Sequence, residues 1–226
     1  MKIDMPESAL LEIDIQNDFC PAYTFASGEK WPGGALAVSR GDEVIAPLNA
    51  LAEFFAQRGG RVIASQDWHP QRHVSFAQSH PGKKSGETID LEGIKDQMLW
   101  PNHCVAGSEG ARFHEKLNLR PVNLIIRKGF RRHLDSYSAF FENDRTTPTG
   151  LDGFLKGLAV RTVVIGGLAS DYCVLYTAID SVDLGYRTIV IEDAVRGVGY
   201  PEGSIGKAFA QMKEAGILIM QSGDIE

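Results

Sequence analysis

The chain has 226 residues, 43% of them hydrophobic and 23% charged, and a formal net charge of −6. This is the balance of a globular protein with a sizeable core, in one domain or at most two small ones, and it excludes a disordered chain. The acidic balance argues against a nucleic-acid binder, which needs a basic face, and no stretch approaches the roughly 18–20 apolar residues of a bilayer span.

The opening "MKIDMPESALLEIDIQND" carries acids inside its apolar run and has no signal-peptide segment, so a cytoplasmic protein without membrane contact is expected. Within it, "SALLEIDIQ" (8–16) reads as the first strand. Residues 20–41 are rich in Gly and Pro and read as a loop. In "EVIAPLNALAEFFAQRGG", Val44, Leu48, Leu51 and Phe55 recur at helical spacing, with Gly59 and Gly60 as the stop. "RVIASQD" (61–67) is the second strand. Residues 68–120 resist assignment. They are rich in Gly, Pro, His and Trp, and loops of that length are usually functional or disordered. Strands recur at 121–129, 161–167, 187–194 and 217–221. "SDYCVLYTAIDSVDLG" reads as a helix ending at Gly185, and a last helix runs from Pro201 to Gly216. Most strands are near-continuous apolar runs, as in strands covered on both faces. The alternation predicts a three-layer α/β/α sandwich with a mostly parallel sheet. Residues 1–226 form one domain in this reading, with loop-rich insertions around 20–41 and 68–120.

In an open parallel sheet, ligands bind beyond the carboxyl ends of the strands. Successive strands deliver Asp14, Asp67 (with His69 just beyond), Lys128 and then Cys173 to that edge. The odd count of widely spaced cysteines, Cys20, Cys104 and Cys173, is a poor disulfide framework, so three free thiols are expected. Cys173 sits in the first turn of a helix, where the dipole favours a thiolate. That position suits a buried small apolar side chain equally well, and Cys20 and Cys104 carry only that structural reading. Asp14, between Ile13 and Ile15, is either a hydrogen-bonded structural acid or a base for the thiol. Lys128 is either a solvated strand-end lysine or the cation that keeps Asp14 ionised. No histidine is placed to pair with Cys173, so a base of another type is needed. Asp67 and His69 offer oxygen and nitrogen ligands, with a third from His73 or His103. His80, His114 and His133 have no partner pattern and are expected at the surface.

The pieces "DIQNDF", "PGGALAVSRGDEVIAPLN", "SQDWHPQRHVSF", "WPNHCV", "IRKGF", "GLASDYCV" and "VIEDAVRGV" span nearly the whole chain. In this order they resemble the nicotinamidase (pyrazinamidase) branch of the isochorismatase-like cysteine hydrolases. The resemblance implies a triad of Asp14, Lys128 and Cys173. It implies one divalent metal ion on Asp67, His69 and His103, zinc first with iron or manganese as alternatives. His73 matches a position that ligates in some members and supports the ligands in others. A cis peptide between Leu168 and Ala169 is implied, with the N–H groups of Ala169 and Cys173 forming an oxyanion hole. Phe19 and Trp100 match the aromatic walls of the substrate pocket. The implied reaction is hydrolysis of nicotinamide to nicotinate and ammonia through a thioester, in pyridine-nucleotide salvage, with pyrazinamide also accepted.

The chain departs from the pattern at "AYTFASGEKW" (22–31), an insertion expected to lie close to the pocket. The alternative activity is a related cysteine amidase acting on a carbamoyl or ureido substrate, which would have no use for Asp67, His69 and His103. An isochorismatase-type hydrolase would lack the cysteine. A non-catalytic binding protein on the same fold would not need competent residues at all three triad positions. Nucleic-acid binding through "RKGFRRH" rests on one short run in an acidic chain. A homo-oligomer is compatible with the sequence.

Overall fold

A computed structural model describes residues 2–226. In chain order the strands and α-helices are β1 (Ser8–Ile13), β2 (Tyr23–Thr24), β3 (Lys30–Trp31), α1 (Ile45–Gln57), β4 (Arg61–Asp67), β5 (Thr88–Leu91), β6 (Ile94–Met98) and β7 (Leu124–Lys128), then α2 (Leu151–Gly157), β8 (Thr162–Leu168), α3 (Cys173–Asp183), β9 (Arg187–Arg196), α4 (Ser204–Glu214) and β10 (Leu218–Met220). Six strands form one parallel sheet in the order β10-β9-β8-β1-β4-β7. All residues of β1 and β8, at its centre, are buried. Exposure returns at the edges, in β7 and β10.

Alternate residues of β1 serve the two faces. Leu10 packs with Leu48, Leu51 and Phe55 of α1. Leu11 and Ile13 pack with Leu155 of α2, Val174 and Ala178 of α3, and Ala208 and Met212 of α4. The result is the expected sandwich, and each fully buried Leu or Phe contributes about 1.5–3 kcal/mol.

Three details differ from the sequence reading. β1 stops at Ile13 because Asp14 takes a left-handed backbone with φ 51°. Helix α2 went unpredicted because it is seven residues long and contains Gly153 and Gly157, both poor helix formers; only Leu151 and Leu155, four apart, anchor it. The two long segments are mostly loop, but each holds an antiparallel hairpin, β2–β3 and β5–β6.

Glu12 stands out in β1. It is completely buried, and both carboxylate oxygens lack a hydrogen-bond partner among the described residues. Burial pushes its carboxyl up to about 8. A raised folded-state value means that the folded chain keeps a proton the unfolded chain releases. Stability is then fullest below the ordinary value of 4.5 and falls as pH rises towards 8. Glu12→Gln removes this dependence, and urea unfolding at pH 5 and pH 7 checks it. The variant is expected to gain on the wild type across that interval, by up to about 3 kcal/mol.

Candidate active site

The carboxyl ends of three strands and the start of α3 meet at one point. Asp14 follows β1 directly, and Asp67 ends β4 opposite Lys128, which ends β7. Cys173 opens α3, five residues beyond the end of β8. Lys128 is fully buried, and its ammonium has three N–H bonds to give. They go to Asp67 Oδ1 at 2.6 Å, the Ser136 carbonyl at 2.9 Å and Cys173 Sγ at 3.4 Å. Asp14 Oδ2 lies 2.9 Å from the same Nζ as an ion-pair partner. Asp14 Oδ1 accepts from Ser65 Oγ at 2.6 Å.

Burial works against the Lys128 charge, but Asp14 and Asp67 outweigh it and hold the ammonium protonated. Burial raises the Asp14 carboxyl, with Lys128 pulling back and Asp67 adding to the rise. The helix-dipole expectation of a resting Cys173 thiolate needs correcting. Burial pushes the thiol well up, Lys128 offsets only part of this, and Asp14 and Asp67 push it further. A low-dielectric site with two carboxylates overrides the start of a helix. Cys173 is a resting thiol beside a carboxylate of raised basicity. Cys20 and Cys104 are buried and free, as expected.

Asp67, His69 and His103 place potential ligand atoms within 4.8 Å of one another, all buried. Each imidazole is oriented from behind: His69 Nδ1 bonds the Gly129 carbonyl at 2.9 Å, and His103 Nδ1 the Pro101 carbonyl at 2.8 Å. This leaves both Nε2 lone pairs facing Asp67 Oδ2, at 3.6 and 3.9 Å. Backbone carbonyls holding the far nitrogen are how metal-binding histidines are commonly fixed, so the donor set fits a divalent ion. Gly129, at φ 62°, is required here, because a Cβ would lie 2.5 Å from His69 Cε1. His73 stacks on His69 with ring centroids 4.3 Å apart. Its nitrogens face Ser75 Oγ and the Leu134 carbonyl instead of Asp67.

Phe19 and Trp100 both line the pocket above Cys173, and the Leu168–Ala169 peptide is cis. Among the described residues, the N–H groups of Ala169 and Cys173 donate to no protein carbonyl. Sequence reasoning missed Tyr137, which accepts from Trp100 Nε1 at 3.1 Å, and Tyr172, whose ring meets Trp100 edge-on. It also missed Asp18, which accepts from the Cys104 N–H at 2.7 Å and so holds the His103 loop, and Gln16, which bonds both the N–H and the carbonyl of Asp67. Both stand inside "DIQNDF", and the adjacency of Tyr172 to Cys173 was its only signal.

The 22–31 insertion supplies no residue to the pocket lining but packs behind it, with Trp31 Nε1 donating to the Asn17 carbonyl at 3.2 Å. It folds as the β2–β3 hairpin, with Tyr23 Oη donating to Asn17 Oδ1 and its ring 4.1 Å from that of His114. That packing corrects His114, which is buried at 2% exposure. His80 is half-buried and His133 exposed.

A parallel sheet delivering an acid, a lysine and a cysteine to one cleft defines a class, and comparison with known proteins agrees. The family profile described as Isochorismatase domain matches residues 8–223, and the chain belongs to that family. The nicotinamidase of Escherichia coli is 41% identical over 98% of both chains. The structure of an Acinetobacter baumanii nicotinamidase/pyrazinamidase superposes with a TM-score of 0.88 and 46% identity, covering 97% of this chain and 98% of that one. A pyrazinamidase of Pyrococcus horikoshii, solved in complex with zinc, gives 0.73 and 33%, covering 96% and 99%.

Proposed function

We propose that this protein is a metal-assisted cysteine amidase that converts nicotinamide to nicotinate and ammonia in pyridine-nucleotide salvage, and that it also accepts pyrazinamide. The observation that carries the reading is Cys173 Sγ in contact with Lys128 Nζ, beside Asp14, in the wall of a pocket that also holds Asp67, His69 and His103.

In this reading Asp14 Oδ2 takes the thiol proton as Sγ bonds to the amide carbon. The N–H groups of Ala169 and Cys173 donate hydrogen bonds to the developing oxyanion, typically one of the largest catalytic contributions. Asp14 then returns the proton to the departing nitrogen, the C–N bond breaks and ammonia leaves. Water, deprotonated by Asp14, attacks the thioester, and nicotinate leaves as the sulfur regains its proton. Lys128 stays charged throughout and compensates the thiolate. Phe19, Trp100, Tyr137 and Tyr172 enclose the pyridine ring and exclude water. Asp67, His69 and His103 would hold the ion, with zinc the first choice and iron or manganese served by the same donors. When bound, it would supply a Lewis-acidic point suited to a pyridine ring nitrogen, which would orient the substrate. Three free thiols suit a reducing compartment, and no described helix is long and apolar enough to cross a membrane, so we place the reaction in the cytoplasm.

Ammonia release by the purified protein from nicotinamide, set beside a carbamoyl and a ureido substrate, tests the assignment. Nicotinamide is expected to be the good substrate; release from the carbamoyl compound alone would overturn it. His103→Ala is expected to weaken metal binding by about 100-fold or more, read by metal analysis after dialysis, and to raise KM more than it lowers kcat.

A further inference from the structure

The fold divides the basic run "RKGFRRH" (127–133). The Arg127 guanidinium lies 3.8 Å from the Trp68 ring centroid, Lys128 enters the active site, and Arg131 pairs with Glu142. Arg132 and His133 remain, and they line an open groove together with Arg72 and His80. The Val74 N–H donates to the Arg132 carbonyl at 2.9 Å and joins the two walls. The groove shares no lining residue with the pocket above Cys173.

The charge pattern around the groove is one-sided. It is built from residues 71–81, 102–105 and 132–133. The lining holds Arg72, His80, Arg132 and His133 and no aspartate or glutamate, in a chain of net charge −6, while the neighbouring Lys83, Lys128 and Arg131 are each paired with an acid. Among the described residues, neither Arg72 nor Arg132 has a carboxylate within ion-pair distance, whereas Lys128 and Arg131 of the same run are paired with acids. Both side chains belong to exposed residues. Two unneutralised guanidiniums over an acid-free concave surface create a local positive potential on an otherwise acidic molecule. A planar guanidinium presents paired N–H groups that match the oxygens of a phosphate. A long nucleic acid needs an extended basic track, which the acidic remainder of the chain does not offer.

We infer that this groove binds a small phosphate-bearing anion, with a diphosphate group held by Arg72 and Arg132. The ligand's source is either free pyrophosphate or the diphosphate of a nucleotide. Calorimetric titration of the full-length, metal-loaded protein with pyrophosphate, ADP and adenosine distinguishes them. Pyrophosphate and ADP are expected to saturate one site, and adenosine to give no heat. Equal affinities assign the site to the diphosphate alone, and tighter ADP binding adds a nucleoside contact. Arg72→Gln/Arg132→Gln is expected to weaken binding by about tenfold or more while nicotinamide hydrolysis stays unchanged. No saturable binding, or equal binding by the double variant as for an anion held at the metal, overturns the inference. Ammonia release reports on the amidase reading separately.

Discussion

Cys173→Ala is expected to lower ammonia release from nicotinamide by about 10⁴-fold or more, because no other group near the pocket can form the acyl intermediate. Cys20 and Cys104 are buried outside it and cannot substitute. Circular dichroism and thermal unfolding should remain close to the wild type, since only one sulfur atom is removed. Asp14→Asn keeps the shape but removes the proton acceptor, and its loss should be of similar size. Residues that act as a unit are not additive, so the double variant should be little worse than either single one. A Cys173→Ala protein retaining near-normal turnover would remove the thiol from the mechanism.

The largest expected stability effect belongs to Lys128→Met. The ammonium is fully buried and neutralises two carboxylates, Asp67 at 2.6 Å and Asp14 at 2.9 Å. Methionine fills a similar volume and leaves both acids without their cation. Breaking a buried ion pair from one side costs about 3–5 kcal/mol, far more than an exposed pair. The midpoint of urea unfolding should fall accordingly, and activity should vanish. Adding Asp14→Asn to Lys128→Met removes one of the uncompensated acids. That double variant should recover part of the stability and none of the activity, which separates the structural from the chemical role of the lysine. A Lys128→Met protein as stable as the wild type would show that the triad charges are not mutually held.

Much of this site was legible before the fold. The apolar runs at 8–16, 61–67 and 161–167 announced buried parallel strands, and a strand's carboxyl end is where a polar residue is exposed to ligand. Asp14, Asp67, Lys128 and Cys173 therefore declared themselves by position. Their ionisation did not. The helix start at Cys173 pointed to a thiolate, and the reversal comes first from burial of the thiol and then from two carboxylates delivered by strands 106 and 159 residues earlier in the chain. The supporting residues were hidden for a related reason. Ser65, Gln16 and Asp18 are unremarkable polar letters until the fold sets them against Asp14, Asp67 and the Cys104 amide. Helix α2 and the two hairpins escaped because their segments are short and glycine-containing, so no periodicity builds up. His114 looked like a surface residue because its partner, Tyr23, comes from an insertion more than 80 residues away.

In this mechanism a sulfur-bound acyl group lies on the path from amide to acid. Hydroxylamine added during turnover of nicotinamide intercepts such a group in competition with water. Nicotinohydroxamate is expected to form at the expense of nicotinate, with undiminished ammonia release and a nicotinoyl group on the Cys173 peptide after acid quench. Nicotinate as the sole product at every hydroxylamine concentration, with the Cys173 peptide unmodified, would contradict it.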